Sequence, residues 1–273
     1  MHSFRNKITL SGKQKDWKRL LRHSPHPDIQ ALALHQLQES KELSDQHLLK
    51  YLKTSPYESV RLEAFLLLQQ RHSDDFVSAI ENAADDNFEL LQRFAVNALI
   101  KNGDPRLANT LAGKLCDVNT SARVAFNALQ GAQFFSRQNL LPAVEDRLRQ
   151  VAPYVVQPET YAKGVLKNAE NYAGRWDEEI EKLCKGEMSH KRALTQINFM
   201  RIYCPPYLLP QVAGYAATLK DDELLLPLLE ALGWHRQAYT SAQVLPVVEK
   251  LMKDTSHSEQ VRQEALKTKK RLK

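Results

Sequence analysis

Apolar side chains recur along this chain at intervals of three and four, and that pattern is itself repeated every 31 positions. Residues 24–40 read SPHPDIQALALHQLQES, residues 55–71 read SPYESVRLEAFLLLQQR and residues 86–102 read DNFELLQRFAVNALIKN. One column holds Ile29, Val60 and Leu91, a second Ala33, Ala64 and Ala95, and a third Leu37, Leu68 and Leu99. Positions i, i+4 and i+8 line one side of a helix, and a small residue among them lets another backbone come close. One more step carries Asp86 to Asp117 and Gln92 to Arg123, in DVNTSARVAFNALQG. Near the other end, Val261-Arg262-Gln263-Glu264-Ala265 repeats the V-R-x-E-A of residues 60–64. A fixed period of this length predicts a solenoid.

Shorter amphipathic stretches, 44–54, 73–84 and 104–116, alternate with these helices and open at or near Ser or Asp, the residues that cap helix N-termini. Each unit therefore reads as two antiparallel helices. Later units are less regular, with Leu140-Leu141-Pro142, Leu208-Leu209-Pro210 and Val244-Leu245-Pro246 each opening an apolar helical pattern. The expectation is an all-α fold of about eight antiparallel pairs, from near Lys13 to near Arg271. The one strand-like stretch, residues 151–156, contains Pro153 and stands alone, so it reads as a connector. The connections at 151–158 and 235–240 are too short to separate a second domain. The whole of 1–273 reads as a single domain, with a seam near 136 between regular and irregular repeats.

These columns resemble HEAT repeats, an armadillo-like α-solenoid family, and within it the PBS-lyase-type HEAT-like repeats. In that family an Asp in the turn between paired helices stands six positions before a basic residue of the second helix. Asp117 and Arg123 match that pair, whereas Asp86 is followed by Gln92 and Ser55 by Arg61. The resemblance is strong over 24–130 and 240–271 and loose between. It implies an α-α superhelix whose second helices line a concave, partner-binding side. It also implies a ladder of hydrogen bonds between repeats, with Arg61, Asp86, Gln92, Asp117, Arg123 and Arg262 as its structural residues. It implies no single activity.

Charge alters the picture little. The net charge of +6 comes from the ends: residues 1–23 carry Arg5, Lys7, Lys13, Lys15, Lys18, Arg19 and Arg22 against Asp16, and residues 261–273 carry Arg262, Lys267, Lys269, Lys270, Arg271 and Lys273 against Glu264. The stretch between them is net acidic, which argues against a continuous phosphate-binding groove unless the charges are segregated between faces. Nucleic acid is thus the less favoured partner and a protein the favoured one, with the basic termini able to touch an anionic surface. Cys116, Cys184 and Cys204 fit neither a disulfide framework nor a zinc site. With no apolar segment after the basic N-terminus and no run long enough to span a membrane, a cytoplasmic location is expected.

Motifs that carry chemistry are few. Metal hydroxylases built from HEAT units need paired His-Glu dipeptides, and this chain has none. His23-x-x-His26 is flanked by prolines with no thiol nearby, a poor metal site. The sequence lacks His-Glu-x-x-His, Gly-x-Ser-x-Gly, Gly-x-Gly-x-x-Gly and phosphate-loop motifs, and neither catalytic residues nor a cofactor are expected. Arg175-Trp176-Asp177 is the one cluster able to act as in the HEAT-like alkylpurine DNA glycosylases. Seven of the nine Tyr lie after residue 150, and Tyr161, Lys167, Tyr172, Arg175, Trp176, His190, Arg192, Gln196, Arg201 and Tyr203 form a candidate partner surface. The function these readings favour is a non-enzymatic scaffold or adaptor. The alternatives are a nucleic-acid-binding, glycosylase-like protein and a lyase- or chaperone-type subunit.

Overall fold

Helices account for all the regular structure in the computed structural model, which describes residues 14–38, 43–71 and 75–273; among these there is no strand. Arg5, Lys7 and Lys13 of the basic N-terminal stretch lie outside the described residues. The helices are α1 (Gln14–His23), α2 (Pro27–Gln36), α3 (Asp45–Thr54), α4 (Glu58–Arg71), α5 (Phe76–Ala84), α6 (Glu89–Asn102), α7 (Ala108–Cys116) and α8 (Ala122–Gly131). They continue as α9 (Arg137–Val151), α10 (Pro158–Tyr172), α11 (Asp177–Cys184), α12 (His190–Tyr203), α13 (Leu209–Ala216), α14 (Asp222–Gly233), α15 (Ser241–Lys253) and α16 (Glu259–Leu272). The chain divides into two compact units, one up to Gln92 and one from Arg93 to Lys273. The boundary falls inside α6.

Within each unit the packing is that of paired helices stacked in two layers. In the first, α1 packs on α2 and α3 on α4, while α3 meets α5 and α2 meets α4. In the second, the pairs are α7/α8, α9/α10, α11/α12, α13/α14 and α15/α16. Odd-numbered helices pack on odd ones (α7 on α9, α11 on α13, α13 on α15) and even on even (α8 on α10, α12 on α14, α14 on α16). The fold is all-α and HEAT-like. One pair alone leaves its apolar stripe wet, and stacking makes the stripes a continuous core.

The repeated columns supply that core. Ala33, Ala64 and Ala95 are fully buried, as are Val60, Leu91, Leu68 and Leu99, while Ile29 is half-buried. Each alanine is the seventh residue of its helix, and so are the buried Ala128 of α8 and Ala265 of α16. Burying a Leu or Val side chain is worth about 1.5–3 kcal/mol, so these columns dominate the stability of each pair. Side chains of Ser44, Ser121, Asp221 and Ser258 cap α3, α8, α14 and α16 by accepting backbone N–H groups. Residues 152–154 form a short 3₁₀ turn, a connector as the sequence implies.

Two features differ from the expected pattern. The helices begin three residues before the apolar patterns at Leu140 and Val244, α9 at Arg137 and α15 at Ser241, which places Pro142 and Pro246 inside them. Buried Leu140 and Val244 extend each apolar stripe back before the proline. The second unit also makes contacts far from nearest neighbours. Asn102 Nδ2 donates to Gln237 O at 3.2 Å, and Tyr239 N–H donates to Asn102 O at 2.9 Å. Among the described residues, no helix is long and apolar enough to cross a membrane.

Candidate functional site

Of the expected ladder the structure shows one rung between repeats, Arg61 to Asp86, and local bonds to the preceding turn at the matching position of other repeats. Gln30, Arg61 and Gln92 are each the fourth residue of their helix, and each bonds the carbonyl six residues back: Ser24 O at 2.7 Å, Ser55 O at 3.0 Å and Asp86 O at 2.5 Å. Arg61 also grips Asp86, with Nε to Oδ2 at 2.7 Å and Nη2 to Oδ1 at 2.8 Å, both side chains about one-tenth exposed. That pairing holds the Arg61 guanidinium above its ordinary pKa despite partial burial. Arg262, also fourth in its helix, donates to His257 O. Gln30 escaped the sequence reading, although it shares the 31-residue column.

Arg123 does not join this ladder. Asp117 folds as Asp86 does, its Oδ1 accepting the N–H two residues on, at 2.9 Å from Asn119. The loop that follows is two residues longer, so α8 starts 33 positions after α6 and Arg123 is only the second residue of its helix. Two residues are about 200° of helical rotation, which turns the side chain from the inter-repeat seam to solvent. The same slip puts Ala128 in the buried small-residue column and leaves Phe126 62% exposed.

Those displaced residues build an open groove. Arg93 of α6 forms one wall, and Ala122, Arg123, Phe126 and Asn127 of α8 form the other, around a volume of about 250 Å³. Neither arginine makes an ion pair among the described residues. Phe94 is exposed beside Arg93, and Lys101 is exposed further along α6. On α10, which packs on α8, Lys163 and Lys167 face solvent and are likewise unpaired among the described residues. From Arg93 onward α6 contains no carboxylate, nor does α8; on α10 the acids are Glu159 and Glu170, near its two ends.

The residues expected as a partner surface are largely spoken for. Tyr161 is half-buried and its hydroxyl donates to Cys116 O at 3.0 Å. Trp176 precedes α11 and donates Nε1–H to the buried Gln133 Oε1 at 3.0 Å. Tyr172 accepts a long contact from Gln130 Nε2, and Gln196 is buried. Arg192 pairs with Glu179, Arg201 with Glu230, and His190 lies 3.3 Å from both Asp221 and Glu223. The remaining polar residues of the set, Lys167 and Arg175, are exposed, with Arg175 6.0 Å over the Trp176 ring. Tyr203 is exposed and stacks on Trp176, and Phe199, Ile202 and Trp234 are also exposed.

Burial also sets the chemistry of the thiols. It pushes Cys116 and Cys184 up to about 11 and Cys204 higher still, so none is held as thiolate near neutrality. Tyr207, half-buried and donating to Asp177, is raised as well, first by desolvation and then by that bond. His23 and His26 are exposed. Among the described residues no three His, Cys, Asp or Glu side chains gather as a metal would require.

No family model matches the chain, and no curated protein sequence does. Among solved structures it is similar to human deoxyhypusine hydroxylase, solved in complex with glycerol, at 14% identity and a TM-score of 0.31, covering 90% of this chain and 99% of that one. The expectation of a non-enzymatic scaffold is contradicted by this match, whose protein is by its name an enzyme, and it is not carried further. At this TM-score the likeness assigns this chain neither a reaction nor a catalytic residue.

Proposed function

We propose that the second unit binds single-stranded nucleic acid along α6, α8 and α10. The observation that carries this reading is the groove that brings Arg93 and Arg123 together with exposed Phe126, on helices that also carry Lys101, Lys163, Lys167 and exposed Phe94, none of the five cations being ion-paired among the described residues. Cations that track a backbone and aromatics that offer a face to unpaired bases are the two elements of sequence-tolerant single-strand binding. The net acidity of residues 24–260 counts against it only if the charges are mixed. On the three helices themselves they are not mixed: α6 from Arg93 onward and the whole of α8 carry no carboxylate, while α11 (Asp177, Glu178, Glu179, Glu181) and α14 (Asp222, Glu223, Glu230) carry seven, and Glu179 and Glu230 pair with Arg192 and Arg201 of α12. Free cysteines and a nucleic-acid ligand both suit a cytoplasmic setting.

Fluorescence anisotropy with labelled dT20 and a 20-nucleotide RNA, between 50 and 200 mM salt, tests the proposal. Five phosphate contacts give a slope of log K against log salt of about −3.5, at roughly −0.7 per contact. Reversing two charges, Arg93→Glu with Arg123→Glu, is expected to weaken binding more than tenfold at 50 mM salt with an unchanged circular dichroism spectrum. Absence of binding at 50 mM salt, or affinity indifferent to salt, would overturn it.

A further inference from the structure

The groove between α6 and α8 is a recess with a defined lining. Its volume, about 250 Å³, falls below the roughly 300–1,000 Å³ of pockets that enclose a drug-sized ligand. Such a recess takes one end group of something larger that continues outside. On α8 the lining residues Ala122, Arg123, Phe126 and Asn127 stand at i, i+1, i+4 and i+5, one stripe of one helix. Ala122 leaves room, Phe126 supplies an apolar face, and Arg123 sits one turn before Phe126. Arg93 closes the opposite wall from α6.

Arg123 is free for a structural reason. In the ladder, Arg61 takes its carboxylate from the next repeat, at Asp86, 25 positions on. The corresponding turn of the next repeat, residues 152–157 between α9 and α10, contains no carboxylate. With no acid built to receive it, and with the two-residue slip of α8 turning it outward, the guanidinium faces the groove with its donors available. Phe126, 62% exposed in a groove lined by two such arginines, is an apolar surface with its anion-binding groups already in place.

We infer that this groove is a nucleotide subsite: one unpaired base lies on Phe126, and the phosphate beside it is held between Arg93 and Arg123. The inference rests on the single-strand reading above, and it goes further by naming the point at which a base is held. Asn127, on the same stripe, offers the base edge a donor and an acceptor. The remaining cations, Lys101, Lys163 and Lys167, contact backbone only.

The test compares wild type, Phe126→Ala, Phe126→Trp and Lys163→Glu/Lys167→Glu for binding to labelled dT20, to an abasic 20-mer of equal charge, and to a 12-residue Glu-rich peptide containing Phe. Stacking of one base contributes a factor of at least about five to affinity. Phe126→Ala is therefore expected to weaken dT20 at least fivefold, leave the abasic strand within twofold, and be restored by Trp. The lysine pair is expected to weaken both strands equally. If dT20 binds and the lysine pair weakens it while Phe126→Ala does not, the subsite is refuted and the wider interface stands. If neither strand binds, both fall. Binding of the acidic peptide with a Phe126-dependent loss, in place of either strand, refutes both and makes the groove a protein contact.

Discussion

At the scale of single residues, the contrast between Arg61 and Arg123 shows how one side-chain type becomes structural or available. Arg61 spends four hydrogen bonds on Asp86, Asn87 and Ser55 O. A buried pair of this kind is costly to break from one side, because the survivor stays charged and loses its partner. Asp86→Ala is expected to destabilise the first unit by about 3–5 kcal/mol in urea unfolding, and Asp86→Asn, which keeps an acceptor, by clearly less. Equal losses for the two would show that the charge pairing contributes nothing. Arg123→Ala, by the same reasoning, changes stability by less than about 0.5 kcal/mol. Sequence spacing alone could not separate these two arginines: each stands six residues after its turn residue. What decides is where the helix begins, and a two-residue loop extension between Asp117 and Ala122 moves that start without touching the spacing.

Elements show the same division between what local pattern encodes and what it cannot. The Ala and Leu columns announce which face of each second helix is buried, because a period of 31 is visible in any window that spans two repeats. The connector between α10 and α11 is different. Gly174 has φ +64°, its N–H donates to Phe135 O at 3.0 Å, and Arg137 Nε donates to Ala173 O at 3.1 Å, so the turn is fixed by residues some 36 to 39 positions away. Tyr161 and Trp176 read as candidate recognition residues for the same reason: their acceptors, Cys116 O and Gln133 Oε1, are 45 and 43 positions distant. A side chain at Gly174 pays for positive φ and also meets Asp177 Oδ2 at 2.8 Å, and Asp177 is anchored by the Tyr207 hydroxyl. Gly186 has φ +70° and open space around it. Gly174→Ala should therefore lower stability by about 2–4 kcal/mol and shift Trp176 fluorescence, while Gly186→Ala costs about 1 kcal/mol. Comparable melting temperatures for the two variants would mean that the Asp177 contact relaxes freely.

For the second unit as a whole, contacts between distant repeats change what kind of object it is. A stack in which each pair touches only its neighbours frays from its ends, since terminal pairs are held by one interface. Here the end of α6 reaches the connector between α14 and α15 through Asn102, Gln237 and Tyr239, and Thr240 donates its hydroxyl to Pro206 O. Gly103, at φ +61°, lies so close to Pro206 that an added Cβ would stand 2.5 Å from the ring. These contacts tie repeats that a linear array leaves independent, so opening near residue 239 requires breaking a long-range link as well as a local one. Hydrogen exchange followed by mass spectrometry provides the measure. In the wild type the Tyr239 amide is expected to exchange as slowly as the core of α14, and Gly103→Ala should accelerate it, together with the amides of α15 and α16, by at least tenfold, leaving the first unit unchanged. Fast exchange at Tyr239 in the wild type, or acceleration confined to residues 102–104 in the variant, would mean that the second unit behaves as an ordinary open stack.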